Sequence, residues 1–201
     1  MNQTFLKLYL PIYLLLYLLL AFVIPTYKTY KATGINPITF GKADNAHDYI
    51  GFVMKILIGL LFVTVLLFSY GNTAYQYCSP ILFLENNKIQ FVGLVLIHIS
   101  LIWIAIAQYQ MSTNWRIGID EKNKTDLVTK GIFSLSRNPI FLGMIISVVG
   151  IFLIIPNALS FFTAVATYFI IQIQIRLEEV FLHGQHGQQY LDYKKNTRRL
   201  V

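Results

Sequence analysis

Two polar clusters sit at the edges of apolar runs, and their residue types suit chemistry on a charged ligand. The first is Leu127-Val-Thr-Lys-Gly-Ile-Phe-Ser-Leu-Ser-Arg-Asn-Pro-Ile-Phe-Leu-Gly143. Arg137 stands directly before a run with membrane character, where a charge must be met by water, a partner or a ligand. Asn138-Pro139 is suited to open a helix, with Asn138 as N-cap. Such a helix end offers free N–H groups and positive potential to an anion. The second cluster is Arg176-Leu-Glu-Glu179. A carboxylate there can take charge-assisted hydrogen bonds from hydroxyl or amino groups. We read the clusters as two halves of one site. Plainer readings stand beside this one. Arg137 also suits a headgroup anchor, and Glu178-Glu179 also suits a solvated helix segment. Adjacent helical side chains point roughly 100° apart, so at most one glutamate faces a given ligand.

Other chemistries find less support. His183 and His186 have no Cys or acidic partner at metal-site spacing, so no metal is expected. Gly118, Gly131 and Gly143 lack the strand–turn–helix setting of a dinucleotide fingerprint. The single cysteine, Cys78, excludes an intramolecular disulfide. His98 lies inside an apolar run, as either a cavity residue or a hydrogen-bonded packing residue.

The elements that position these clusters are membrane helices. Hydrophobic residues make up 56% of the 201, and charged residues only 12%, about half the usual charged share of a soluble domain. We expect an all-α integral membrane protein with five spans: about Phe5–Ile24, Tyr49–Tyr70, Ile89–Gln108, Pro139–Ile155 and Ala158–Ile175. The last two form a helical hairpin, followed by a polar amphipathic helix from Arg176 to Arg199 on the cytoplasmic side. The first run is longer than a usual signal-peptide core and ends in Pro25-Thr26-Tyr27, so it is kept as a span. Thr26–Asp48 reads as a polar segment with turn signals at Gly34, Asn36-Pro37 and Gly41. Tyr109–Asn138 reads as a long polar loop, with Trp115 at the interface. Residues 1–110 would be a scaffold, and 111–201 would carry the chemistry.

The net charge is +7, but the basic residues fall in loops between apolar runs. That favours anionic lipid over nucleic acid as partner. With five spans, Lys7 and Lys88 lie on one side. The other fourteen basic residues, Lys42, Lys124, Arg137 and Arg199 among them, share the opposite side. By the positive-inside rule both clusters face the cytoplasm.

In combination the motifs resemble a known family. Leu127-Val-Thr-Lys-Gly131, Arg137-Asn-Pro-Ile-Phe-Leu-Gly143, a hairpin, Glu178-Glu179, Gly187-Gln-Gln-Tyr190-Leu-Asp-Tyr193 and a terminal Arg198-Arg199 follow in order. This is similar to the isoprenylcysteine carboxyl methyltransferases, membrane enzymes related to the phospholipid N-methyltransferases. Ser112-Thr-Asn-Trp-Arg-Ile-Gly-Ile119 resembles a stretch of their bacterial members. The likeness runs from about Met111 to Val201.

The resemblance implies S-adenosylmethionine as cofactor. It implies that Thr125, Asp126, Leu127, Val128, Phe133, Asn138, Pro139, Ile140, Phe141 and Glu178 hold that cofactor. Phe133 and Phe141 would face the sulfonium. Arg137, Glu179 and Arg198 are the candidate catalytic residues: arginines to hold an oxyanion, and Glu179 as the nearest base if the acceptor is an amine. The acceptor would be lipophilic or lipid-attached, with a carboxylate or an amine. Two positions depart from the family pattern. Asn138 replaces a histidine of the eukaryotic enzymes, and Gln174 stands where an arginine is placed four residues before Glu178. Two rival readings remain, a nicotinamide-dependent membrane reductase of the sterol-reductase kind and a non-catalytic scaffold or transporter.

Overall fold

Hydrocarbon offers backbone groups no partner, so long runs of Leu, Ile, Phe and Val must satisfy their own N–H and C=O groups as helices. The structure, a computed structural model, describes residues 2–40, 45–71 and 73–201. Lys42, counted above in the charge asymmetry, and Gly41, read as a turn signal, lie outside them. The elements are α1 (Gln3–Leu18), a π-turn (Leu19–Val23), α2 (Ile24–Thr33), α3 (Ala46–Tyr70), α4 (Asn87–Met111), α5 (Pro139–Ile154), α6 (Ala158–His186) and α7 (Gln188–Asn196). Among the described residues there is no strand, so the protein is an all-α membrane protein. Four segments are long and apolar enough to cross a bilayer: Gln3–Thr33, Ala46–Tyr70, Asn87–Asn114 and Ala158–His186. The fifth expected span, α5, is apolar but only 16 residues long.

Asparagine side chains cap four of these helices. The Asn2, Asn45 and Asn86 side chains accept from the N–H groups of Thr4, Asp48 and Lys88 at 2.9, 2.9 and 2.8 Å, satisfying donors that the first turn leaves orphaned. Asn157 and Ser160 form a reciprocal capping box on α6.

Two expectations need correction. The polar helix expected from Arg176 to Arg199 is instead the end of α6, which runs unbroken to His186, and α7, which starts after a break at Gly187. The first helix is longer than expected. The first span does not stop at Pro25; the helix continues through it to Thr33. Pro25 lies in the first turn of α2, where a missing N–H is tolerated. The carbonyl it would have bonded belongs to Ala21, and the buried Gln108 amide of α4 donates there instead. Gly34, at φ 72°, then ends α2 in the left-handed conformation.

The seam between α4 and α5 sets the position of the first cluster. A Cβ built on Gly93 would come within 2.6 Å of the Gly150 carbonyl oxygen, and one on Gly143 within 2.4 Å of Ile104. Backbones approach this closely only where small residues line up. Ser100 and Ser147 share a buried hydrogen bond of 2.6 Å across the seam. The Trp103 indole donates to the Pro139 carbonyl at 3.0 Å, tying α4 to the start of α5. Around this seam one apolar cluster gathers Leu6, Leu10, Val65, Ile97 and Ile151. A second gathers Ala21, Ile104, Met144, Ile171 and Ile175, with Leu200 packed against it. His98 is exposed on the helix surface and hydrogen-bonded: Tyr9 Oη lies 2.6 Å from its Nε2, and the Leu94 carbonyl 2.7 Å from its Nδ1.

Candidate active site

The start of α5 is where the two clusters meet. Asn138 holds the N-cap position, but its side chain does not cap the helix. Its amide donates instead to the Arg199 carbonyl at 2.9 Å. Pro139 has no N–H, and the Leu142 N–H bonds back to the Asn138 carbonyl at 3.0 Å. The N–H groups of Ile140 and Phe141 therefore have no intrahelical acceptor, and both residues line an open cleft of about 200 Å³.

Arg137 stitches the C-terminal strap to this turn. Its N–H donates to the Arg198 carbonyl at 2.9 Å. One guanidinium nitrogen, Nη1, donates to the carbonyls of Thr197 and Lys194, and the other, Nη2, to Glu179 Oε1 at 2.6 Å. Arg199 grips the same carboxylate through Nε at 3.0 Å and Nη2 at 2.8 Å, and Lys194 Nζ lies 3.8 Å from Oε2. Hydrogen bonding to Glu179 pushes the Arg199 guanidinium pKa still higher, so this cation stays charged. The side chains of Arg137 and Glu179 are each only 7% exposed. A buried Arg137–Glu179 pair is thus flanked by the more exposed cations Arg199 and Lys194, and Glu179 is saturated with donors.

Glu178 points the other way. It lines the cleft and accepts from Gln174 Nε2 at 2.8 Å. Gln174, one turn earlier, is almost fully buried, and its Oε1 has no partner. Arg137 Nε is buried and likewise unpartnered. Both residues contribute to the cleft wall, with these two atoms covered inside it.

The loop after α4 supplies the facing wall. Asp120 accepts from Arg116 Nε at 3.0 Å, from both donors of Asn123 and from the Lys122 N–H. Burial pushes the Asp120 carboxyl up, but these bonds outweigh it and hold the carboxyl below its usual range. The Asn114 amide oxygen accepts from the Asp126 N–H at 3.1 Å, closing the loop onto itself. Gly118, at φ 97°, lets the chain pass His47 and Thr39, and Ile117 pairs with Ile38. Tyr193 Oη donates to the Phe133 carbonyl at 2.6 Å, locking α7 over the cleft. Burial raises the pKa of the Tyr190 and Tyr193 phenols, which keeps both as neutral donors.

All ten residues assigned to a cofactor in the sequence line this cleft: Thr125, Asp126, Leu127, Val128, Phe133, Asn138, Pro139, Ile140, Phe141 and Glu178. Of the three assigned to catalysis, Arg137 lines it. Glu179 lines a shallow groove on another face of α6, and the Arg198 side chain is exposed while its backbone serves the strap. Sequence reasoning missed Arg116 and Asp120, although their i, i+4 opposite charges were a signal. It also placed Trp115 at the interface, whereas Trp115 is buried in the cleft wall. Phe22 of the π-turn and Met54 of α3 complete the wall, and no local motif marks them.

Comparison with known families matches residues 88–189 to phospholipid methyltransferase. The match opens with α4, takes in the loop, α5 and both glutamates, and stops just before Tyr190. A search of curated proteins finds no match.

Proposed function

The chain belongs to the phospholipid methyltransferase family, and from that premise we propose that it methylates a lipid-borne acceptor using S-adenosylmethionine at the cytoplasmic surface of the membrane. Membership speaks for a membrane methyltransferase over the reductase and transporter readings. The observation that carries the lipid-borne acceptor is a second, apolar cavity of about 60 Å³ between α1, α3, α5 and α6. It shares Phe22, Met54 and Met144 with the cleft. A ligand with a polar head in the cleft and an apolar tail in this cavity fits the pair, and a water-soluble acceptor would leave the second cavity without a use.

The cleft's unmet groups fit the cofactor. The N–H groups of Ile140 and Phe141, with the positive end of α5, would hold its carboxylate. Glu178 would take its hydroxyl or amino hydrogens, and Phe133 and Phe141 offer ring faces to a sulfonium. When bound, the cofactor supplies an activated methyl group together with its own leaving group. The protein's share is then positioning and electrostatics. Arg137, fixed by Glu179 and the strap carbonyls, would place a positive charge in the cleft wall for an oxyanion. We assign Glu179 to holding Arg137 and Arg199 in place and not to proton transfer, because every proton it meets belongs to a guanidinium or an ammonium. Arg198 remains a surface cation suited to anionic headgroups.

Glu178→Gln is expected to weaken S-adenosylmethionine binding about 10- to 150-fold, the loss of one charged hydrogen bond of roughly 1.5–3 kcal/mol. Calorimetry on the detergent-solubilised protein reads this directly; unchanged affinity would remove Glu178 from the site. Orientation has its own test. Cysteines placed at Lys88 and Lys124 should label from outside and inside respectively, and equal outside labelling of both in intact cells would rule the assignment out.

A further inference from the structure

One wall of the cleft is held by a part of the chain that the family match, residues 88–189, does not reach. Ile117, Gly118 and Ile119 stand in that wall. Their backbone groups find partners in the connection between α2 and α3 and in the first turn of α3. The Ile117 N–H donates to the Pro37 carbonyl at 2.9 Å. The Ile117 carbonyl accepts from the Thr39 N–H at 3.1 Å and from the Thr39 hydroxyl at 2.9 Å. Two residues on, the Ile119 N–H donates to His47 Nε2 at 2.9 Å. Gly118 permits the approach, since a Cβ there would meet Thr39 Oγ1 at 2.5 Å and His47 Cε1 at 2.7 Å.

His47 makes a second contact from the same ring. It stacks on Phe40 with centroids 4.2 Å apart, and Phe40 itself lines the cleft. Gly51, one turn further along α3, leaves room for that ring; a Cβ there would come within 2.5 Å of Phe40 Cδ1. Because Nε2 accepts, the neutral imidazole carries its proton on Nδ1. Asp48 Oδ1 lies 3.7 Å from Nδ1 and favours that tautomer. The wall is tied in turn to residues assigned to the cofactor. Asn114 Oδ1 accepts from the Asp126 N–H, and Asp120 gathers the Asn123 amide. A backbone N–H that loses its acceptor away from water is costly, so the wall must shift if His47 stops accepting.

We infer that His47 is a positioning residue: its Nε2 latches Ile119 to α3, and through Ile119 it sets the loop that carries Thr125 to Val128. The effect on the cofactor rests on the methyl-transfer reading of that loop; the latch itself does not.

Three variants separate the hydrogen bond from the ring. His47→Phe keeps a ring to stack on Phe40 and removes the acceptor. His47→Gln places an amide oxygen near the Nε2 position and removes the ring. Gly118→Ala opens the same contact from the loop side. Hydrogen exchange of the full chain in detergent, followed by mass spectrometry over residues 115–121, reads the latch. Calorimetry with S-adenosylmethionine reads its consequence. His47→Phe and Gly118→Ala should each lower protection in that segment and weaken binding about tenfold. In His47→Phe the melting temperature and the protection of α4 and α5 should hold. His47→Gln should stay within about threefold of the wild type on both counts. Unchanged protection in His47→Phe overturns the latch, as does an equal loss in His47→Gln, since the ring alone would then matter. A fall in melting temperature that accounts for the lost protection makes His47 a packing residue and overturns it too. Lost protection with unchanged affinity overturns the positioning role. Absence of binding by the wild type would sink the cofactor reading instead, with the exchange data still deciding the latch.

Discussion

Glu179→Ala should release the C-terminal strap and destabilise the protein by about 3–5 kcal/mol, the usual cost of breaking a buried ion pair from one side. The reason is what the substitution leaves behind. Arg137 is as buried as Glu179 and already carries one unpartnered nitrogen. Without the carboxylate its charge has only the carbonyls of Lys194 and Thr197. Arg199 loses both of its hydrogen bonds to the same group. The Asn138 amide and Arg137 N–H then hold a strap with no electrostatic anchor, and the turn that presents Ile140 and Phe141 loosens. Thermal unfolding should show the loss, and cofactor affinity should fall with it. Glu179→Gln, which keeps an acceptor, should retain part of both. A drop below about 1 kcal/mol would mean that the cluster behaves as an ordinary surface ion pair, and the positioning role would go.

Gly93→Leu is the second large effect. A Cβ on Gly93 meets the Gly150 carbonyl oxygen at 2.6 Å, Ile154 Cγ1 at 2.7 Å and the Ile154 backbone nitrogen at 3.1 Å. Two of these atoms are backbone, so no rotamer change relieves the clash, and α4 and α5 must separate. Overpacking usually costs roughly 1–3 kcal/mol; here we expect the top of that range or more, read as lost folded yield and a lowered melting temperature. Activity should fall too, because the same seam carries the Trp103 bond to Pro139. Gly59→Leu is the control. Nothing lies within 4 Å of a Cβ at Gly59, so that helix should tolerate the change. Equal loss in both variants would mean that the seam is not the cause.

What the sequence revealed follows the physics of each signal. Span existence was legible because hydropathy is a sum over many residues, and cleft lining was legible because the site is built from two contiguous stretches. The end of the first helix was not. Pro25 is a local stop signal, and it is overruled by a donor from Gln108, far along the chain. The division of labour between the glutamates was only half legible. Their angular separation guaranteed that they face differently. Which of them meets the cleft depends on where Arg137 and Arg199 arrive, a tertiary fact. Gln174 stood out as a departure from the family pattern, but its orphaned oxygen is visible only in three dimensions. Phe22 and Met54 left no trace, since an apolar wall residue in a membrane span resembles its lipid-facing neighbours.

The brevity of α5 bears on how an acceptor would reach the cleft. Sixteen residues rise about 24 Å, several ångströms short of a hydrocarbon layer roughly 30 Å thick. Hydrophobic mismatch of this kind is met by local thinning of the bilayer or by polar groups following the helix end inward. On the proposed reading, the open end of the cleft sits in a dimple of the leaflet. A lipid acceptor would then arrive by lateral diffusion with its tail still solvated by other tails, and its head would need little vertical lift. Turnover becomes a property of the membrane as well as of the protein, with thinner bilayers deepening the fit and thicker ones opposing it.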